Sequence, residues 1–311
     1  MVRIADVAQS VAWDHEVLVK VRFAIVNRTD CGFRAAQPLI VRVFTGLARP
    51  RVTVLGTEFA GVVEAIGGGV SSFAVGDRVF GFREWKFGAH AEYLTIPEDG
   101  SIATIPANVT DEEAAAATEG SHYALSMIRK AKVRSGDAVL VYGATGAIGS
   151  AAVQILNGIG AIVTGVCATP HLELVRGLGA DKVVDYTAQD FTKDERTYDV
   201  VIDAVGKSSF GRCRRLLQPR GIYLSSDLGP WAQNLVLTFV TQLLGRRKAM
   251  MPIPPRYRQA EVAYFRELLA SGRFKPVIDR RYDLDRIVEA YRYVETGQKI
   301  GNVVIVVDPS V

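Results

Sequence analysis

The chain has 311 residues, 49% of them apolar, with a net charge of +4 and three cysteines. That length favours two domains over one, since single cores stop growing at about 250–300 residues. Composition excludes a disordered chain, a disulfide framework and, because the net charge is small and not clustered, a nucleic-acid platform.

Cys31, Cys167 and Cys213 point to a reducing compartment, and Met1-Val-Arg-Ile-Ala-Asp6 lacks the basic-then-apolar order of a signal peptide. The chain is therefore expected to be cytoplasmic. The longest apolar stretch, Leu235–Leu244, is broken by Thr238, Thr241 and Gln242 and is too short for a bilayer, so no membrane partner is expected. Arg212-x-Arg-Arg215 and Arg246-Arg-Lys248 read as solvated helix faces, without the interleaved aromatics of a nucleic-acid site.

From residue 16 to about 110 the punctuation is that of an all-β region. Glu16-Val-Leu-Val-Lys-Val-Arg-Phe23 alternates with period two, Phe59–Gly67 does so more loosely, and Gly67-Gly-Gly69 and Gly76-Asp77 supply turns. Asp111-Glu-Glu113 followed by alanines opens a helix with first-turn acids. Apolar strands are then predicted at 138–142, 161–166, 182–185, 199–203 and 221–225, with helices between them. That alternation means βαβ units and a parallel sheet whose ligand lies at the carboxyl ends of the strands. Leu284–Glu295 is an amphipathic helix, and Asn302–Val307 a last apolar strand returning to the first domain. The expected domains are 1–112 with 283–311, and an inserted 113–282.

The strand–turn–helix run Val139–Gln154 carries Ala144-x-Gly146-x-x-Gly149, the dinucleotide fingerprint with alanine in its first glycine place. Gly146 lets the backbone approach a diphosphate, Gly149 lets helix and strand pack closely, and the helix N-terminus presents free N–H groups. Gly143, Ala144, Thr145, Gly146, Ala147, Ile148 and Gly149 are the predicted phosphate loop. The next strand ends in Cys167-Ala-Thr169-Pro-His171, with no acid for ribose hydroxyls, which favours NADPH. Thr169 and His171 can donate to a 2′-phosphate, although Thr169 and Pro170 equally suit a helix start.

Gly56-Thr-Glu58-Phe-Ala-Gly61, Val75-Gly-Asp77-Arg-Val79-Phe-Gly81, Gly88-Ala-His-Ala-Glu92-Tyr93, Leu178-Gly-Ala-Asp181 and Tyr198-Asp199-Val-Val-Ile-Asp203 together resemble the medium-chain dehydrogenase/reductases. The resemblance covers nearly the whole chain from residue 16, with an N-terminus short by a strand. It implies a GroES-like, partly open β-barrel catalytic domain, an inserted Rossmann domain, a cleft between them and a homodimer. Positions that hold catalytic zinc in the family's alcohol dehydrogenases correspond to Asn27, Thr57 and Thr118, which are poor zinc ligands, and Glu58 alone does not make a site. The chain thus resembles the zinc-free quinone oxidoreductase and enoyl reductase branch.

The resemblance also places Tyr186 near the 2′-phosphate, Val205, Gly206 and Ser225 along the cofactor, and Asn302 near the diphosphate or nicotinamide. Tyr186 could equally be a packed aromatic, and Asn302 a strand-entry turn. Asn27 could orient a substrate carbonyl, while Asp30 and Arg34 are expected to pair and hold their loop; Gly32 stands where several reductases carry a tyrosine proton donor. His122 replaces a threonine that relatives hold near the nicotinamide, with Glu119 one helical turn before it. As a carboxylate, Glu119 would fix the tautomer of His122 and raise its pKa, so that His122 could protonate the developing oxyanion or α-carbon; equally, Glu119 could cap backbone amides at the helix start while His122 hydrogen-bonds to the cofactor ribose or carboxamide. The segment Trp231–Arg256 reads as a variable cover over the substrate or part of the subunit contact.

The resulting expectation is an NADPH-dependent, zinc-independent reductase of α,β-unsaturated carbonyls or quinones, small molecules both. The alternatives are a zinc-free NADP-dependent alcohol dehydrogenase or carbonyl reductase, and a catalytically silent NADPH-binding sensor.

Overall fold

The computed structural model describes residues 2–36, 52–83, 86–229, 232–244, 246–252 and 259–310. Within the expected cover segment, Trp231 and 253–256 lie outside the described residues. The chain divides into two compact units, Met1–Glu119 with Arg256–Val311, and Gly120–Pro255.

The first unit is built on β1 (Glu16–Val26), β2 (Glu58–Ile66), β3 (Arg78–Phe82), β4 (Tyr93–Pro97) and β5 (Ile102–Thr104). The alternation read at 16–23 holds because β1 is sandwiched between antiparallel partners, β2 and β4 at its start and β13 (Asn302–Val306) at its end. Phe59, Val19, Ile305 and Tyr291 belong to its core. Between β1 and β2 lies α1 (Arg28–Ala35), and after β5 comes α2 (Asp111–Ala115), whose N-cap Thr110 and Glu113 form a reciprocal capping box.

Residues 256–282 were expected in the inserted domain, and they belong instead to the first unit. There β12 (Ile278–Asp283) pairs in parallel with β13 at the sheet edge. Arg266, on the helix Gln259–Ala270, donates to the Thr104 carbonyl at 3.0 Å and Asn108 donates to Ala270 at 3.1 Å.

The second unit begins in the first turn of α3 (Glu119–Ala131). Its sheet contains β6 (Ala138–Tyr142), β7 (Ile162–Cys167), β8 (Lys182–Asp185), β9 (Tyr198–Asp203), β10 (Leu217–Ser225) and β11 (Lys248–Met250). All neighbours are parallel, in the order β11-β10-β9-β6-β7-β8. Chain order reverses between β6 and β9, so the ends of these two strands form the switch point where ligands of such sheets bind. The five predicted strands are all present. Val139, Leu140, Val141, Val201 and Ile202 are fully buried, as parallel strands covered on both faces must be.

Candidate functional site

Two polar assemblies stand out, one in each unit. In the second, β6 runs into Gly143 with φ +81°, then Gly146 caps α4 (Ala147–Ile159) without any side-chain bond. The first-turn N–H groups of α4 are left for another acceptor. A Cβ on Gly149 would lie 2.0 Å from the Gly143 carbonyl oxygen, so this glycine is demanded by packing alone. A Cβ on Gly146 would meet only that oxygen, at 3.6 Å, and otherwise project into open space. The fold leaves the space beside Gly146 open, and the cradle fits a dinucleotide diphosphate.

The expected neighbours of that loop assemble around it. Val205 packs over Gly143, 2.4 Å from where a Cβ would stand. Asp203, fully buried, ties this corner together: its carboxylate accepts from the N–H groups of Val205, Gly206 and Ser208 and from the Tyr223 hydroxyl. Ser225 is buried, and its hydroxyl accepts from the Asp227 N–H at 3.2 Å. Gly120 brings the start of α3 against Ala147, 2.8 Å from the site of a Cβ, so His122, buried one turn later, sits on a helix that abuts the phosphate loop.

At the tip of β7 the hydroxyl of Thr169 is not open to solvent donors alone: it lies 2.5 Å from an Asp185 oxygen and 2.8 Å from the Thr187 hydroxyl. Asp185 ends β8, and its bonds from Thr169 and Thr187 hold its carboxyl below the usual range. The tip of β7 is free of acids, yet its spatial neighbour supplies one. His171 begins the helix Leu172–Gly177 close by. Tyr186, half exposed, stands edge-on to Tyr142 at 6.2 Å, which makes it both a packed aromatic and a neighbour of this corner.

In the first unit the zinc-equivalent positions converge, but as donors. Asn27 caps α1, its Oδ1 accepting from Asp30 N–H at 2.8 Å, while its Nδ2 donates to Thr57 Oγ1 at 3.1 Å and Glu58 Oε2 at 3.3 Å. Thr118 Oγ1 and the Glu119 N–H donate to Glu58 Oε1 at 2.8 and 2.7 Å. Amide and hydroxyl hydrogens thus point where a cation would need lone pairs, and this set does not fit zinc. Both N–H bonds of the Asn27 amide are engaged here, and Asn27 ties the cluster together. Asn302 Nδ2 donates to the carbonyls of Ala116 and Val277 at the entry to β13, the strand-entry arrangement that the sequence offered beside the cofactor contact. The expected Asp30–Arg34 pair is replaced. Asp30 accepts from the N–H groups of Asn27 and Gly56, and Arg34 reaches Glu295.

Glu119 receives the Thr29 hydroxyl. Burial first, then the neighbouring Glu58, push its carboxyl well above the ordinary range; burial also raises Glu58 and lowers the Lys299 amine beside them. Asp30 is pushed up to about 8, chiefly by burial. Burial thus favours the neutral form of Glu119, whereas the expected pairing with His122 called for its carboxylate. Sequence reasoning missed Lys299, Asp185 and the corner-forming role of Asp203. Among the described residues no cluster of three His, Cys, Asp or Glu suits a metal, and no helix is long and apolar enough to cross a membrane.

Residues 13–107 match the alcohol dehydrogenase GroES-like domain, and residues 178–305 match the zinc-binding dehydrogenase domain. A 2-methylene-furan-3-one reductase of Solanum lycopersicum is 31% identical over 305 residues, covering 94% of this chain and 72% of the relative. An NADPH-dependent alkenal/one oxidoreductase of Arabidopsis thaliana is 28% identical, with the same coverage of both chains. The solved quinone oxidoreductase of Pseudomonas syringae pv. tomato DC3000 superposes with a TM-score of 0.81 at 26% identity, over 97% of this chain and 94% of the other.

Proposed function

The chain belongs to the medium-chain dehydrogenase/reductase family and is an oxidoreductase of its quinone and enoyl reductase type, and from that premise we propose that it transfers hydride from NADPH to an α,β-unsaturated carbonyl or a quinone without zinc. The observation that carries the zinc-free part is that Asn27 and Thr118 donate to Glu58, and Asn27 also to Thr57, where a metal would need free lone pairs. The acceptor class is supported by the named activities of the relatives.

Gly146 and the first turn of α4 would hold the diphosphate, with Val205 and Gly206 beside it; when bound, the nicotinamide supplies the hydride. Hydride addition to an enone leaves an enolate that needs one proton. Glu119 is buried, which favours its neutral form, and His122, one turn along the same helix, is the group we assign to deliver that proton to the α-carbon or oxygen. NADPH over NADH is favoured by the acid-free tip of β7 and by His171, and opposed by Asp185. A homodimer is supported by Leu235, Val236, Phe239 and Leu243, exposed on one helix beside the edge strand β11; a second copy would cover them. A cytoplasmic setting is supported by three buried free thiols.

The test is NADPH and NADH oxidation by the purified chain with quinones, enones and aldehydes, each with and without chelator. Chelator-resistant turnover of an enone or quinone, faster with NADPH, is expected. Activity abolished by chelation and restored by zinc would overturn the metal-free reading, and absence of turnover with every acceptor would overturn the reductase.

A further inference from the structure

The two basic groups that sequence alone leaves as solvated faces come together in the fold. A cavity of about 580 Å³ in the second unit is walled by Arg214, Arg246 and Arg247, with Phe210, Pro219 and Val240 as its apolar sides. Its volume falls in the range of small-molecule sites, roughly 300–1,000 Å³. Arg214 follows the short helix Phe210–Cys213, Pro219 lies at the start of β10, and Arg246 and Arg247 immediately precede β11. The hollow therefore sits at the amino ends of β10 and β11. The phosphate loop follows the carboxyl end of β6, and because the sheet is parallel the two lie at opposite ends.

Three guanidiniums from two segments of chain share this hollow, and among the described residues no carboxylate pairs with any of them. Arg247 is fixed in place, its Nε donating to the Leu217 carbonyl at 2.8 Å. Like charges gathered on a partly apolar wall repel one another unless an anion sits among them. A monocarboxylate would leave most of that charge uncompensated, whereas a phosphate monoester carries about −1.5 to −2 at neutral pH and takes bidentate guanidinium bonds. Phe210, Pro219 and Val240 offer area that a bare ion cannot use.

We propose that this cavity is a second ligand site, separate from the dinucleotide cradle, for an organic phosphate: a phosphate group carried on an apolar or aromatic body. Nucleic acid is disfavoured because the volume of the hollow suits one small molecule.

The probe is phenyl phosphate, titrated calorimetrically into the full-length chain at low salt, with and without saturating NADP⁺. One equivalent is expected to bind in both conditions. Arg214→Ala and Arg246→Ala should each weaken it by about tenfold, the usual loss for one charge-assisted hydrogen bond. Arg215→Ala removes the same charge from an exposed neighbour outside the cavity and should leave affinity within about twofold. Melting curves of the three variants should coincide with that of the parent chain, since all three side chains are exposed. The proposal is overturned by no binding at millimolar probe, by displacement with NADP⁺, or by equal weakening in Arg215→Ala. Inorganic phosphate or a short oligonucleotide binding as tightly as phenyl phosphate would also overturn it.

Discussion

Two glycines three residues apart in the phosphate loop should respond to the same substitution in opposite ways. Gly149→Ala puts a methyl 2.0 Å from the Gly143 carbonyl oxygen and 2.9 Å from the Ala144 Cα, both backbone atoms that cannot swing aside. Normal contact needs about 3.4 Å or more, so strand and helix must separate, and overpacking of this kind costs about 1–3 kcal/mol or more. At roughly 2–4 °C per kcal/mol for a domain of this size, the melting temperature should fall by about 5–10 °C. Gly146→Ala meets one atom at 3.6 Å, and its φ of −70° suits alanine, so stability should change by less than about 0.5 kcal/mol. Its methyl would project toward the cradle and should weaken NADPH binding by about tenfold or more, the cost of about 1.4 kcal/mol of lost approach. Differential scanning fluorimetry gives the first quantity, and NADPH fluorescence titration the second. Unchanged NADPH affinity in Gly146→Ala, with melting also unchanged, would refute the diphosphate cradle; wild-type melting of Gly149→Ala would refute the packing argument.

Changing His122 to Asn should lower turnover by about 10²-fold or more while NADPH affinity stays within about twofold; equal kcat in variant and parent would remove it from proton transfer. Asp185→Asn deletes a charge beside Thr169 and should raise the NADPH-to-NADH ratio of kcat/KM by about fivefold; an unmoved ratio would mean that the 2′-phosphate lies elsewhere. Asp30, with its carboxyl raised to about 8, binds its proton more tightly folded than unfolded. Its contribution to stability therefore declines as pH rises from the ordinary carboxylate range to about 8, by up to about 1.4 kcal/mol per pH unit. Asp30→Asn, which mimics the neutral acid, should flatten the dependence of melting temperature on pH between 5 and 8, and parallel curves for the two chains would contradict the assignment.

The central parallel strands were legible because they are apolar runs buried on both faces; Val139–Val141 and Val200–Ile202 need no knowledge of their neighbours to be read. Strand β12 was not legible for the opposite reason. Ile278–Asp283 contains two arginines and two aspartates, lies at an edge, and becomes a strand only through β13, which follows it by a helix. Local pattern gave it nothing to announce, and the expected domain boundary fell at its end rather than before the helix 259–270.

In the site the same distinction separates residue identity from residue role. Asn27, Glu58, Glu119 and His122 could be singled out by type and family position, but what each does depends on which atom meets which. Asn27 caps α1 through its Oδ1 while its amide hydrogens go to Thr57 and Glu58, and Glu119 lies beside a second buried carboxyl, Glu58, that is bonded to the Glu119 backbone N–H. Lys299 gave no signal at all, because a lysine in Gly297-Gln-Lys-Ile-Gly301 reads as a solvated turn until the fold sets it beside two buried acids. Asp185 shows how far a motif can mislead. The absence of an acid after β7 is real in sequence, yet β8 lies next to β7 and ends at the same level, so adjacency in the sheet restores the carboxylate that the chain omits. Cofactor preference in a parallel sheet is therefore decided by neighbouring strand tips taken together, and the reading from one tip stands only if Asp185 proves to oppose the 2′-phosphate without excluding it.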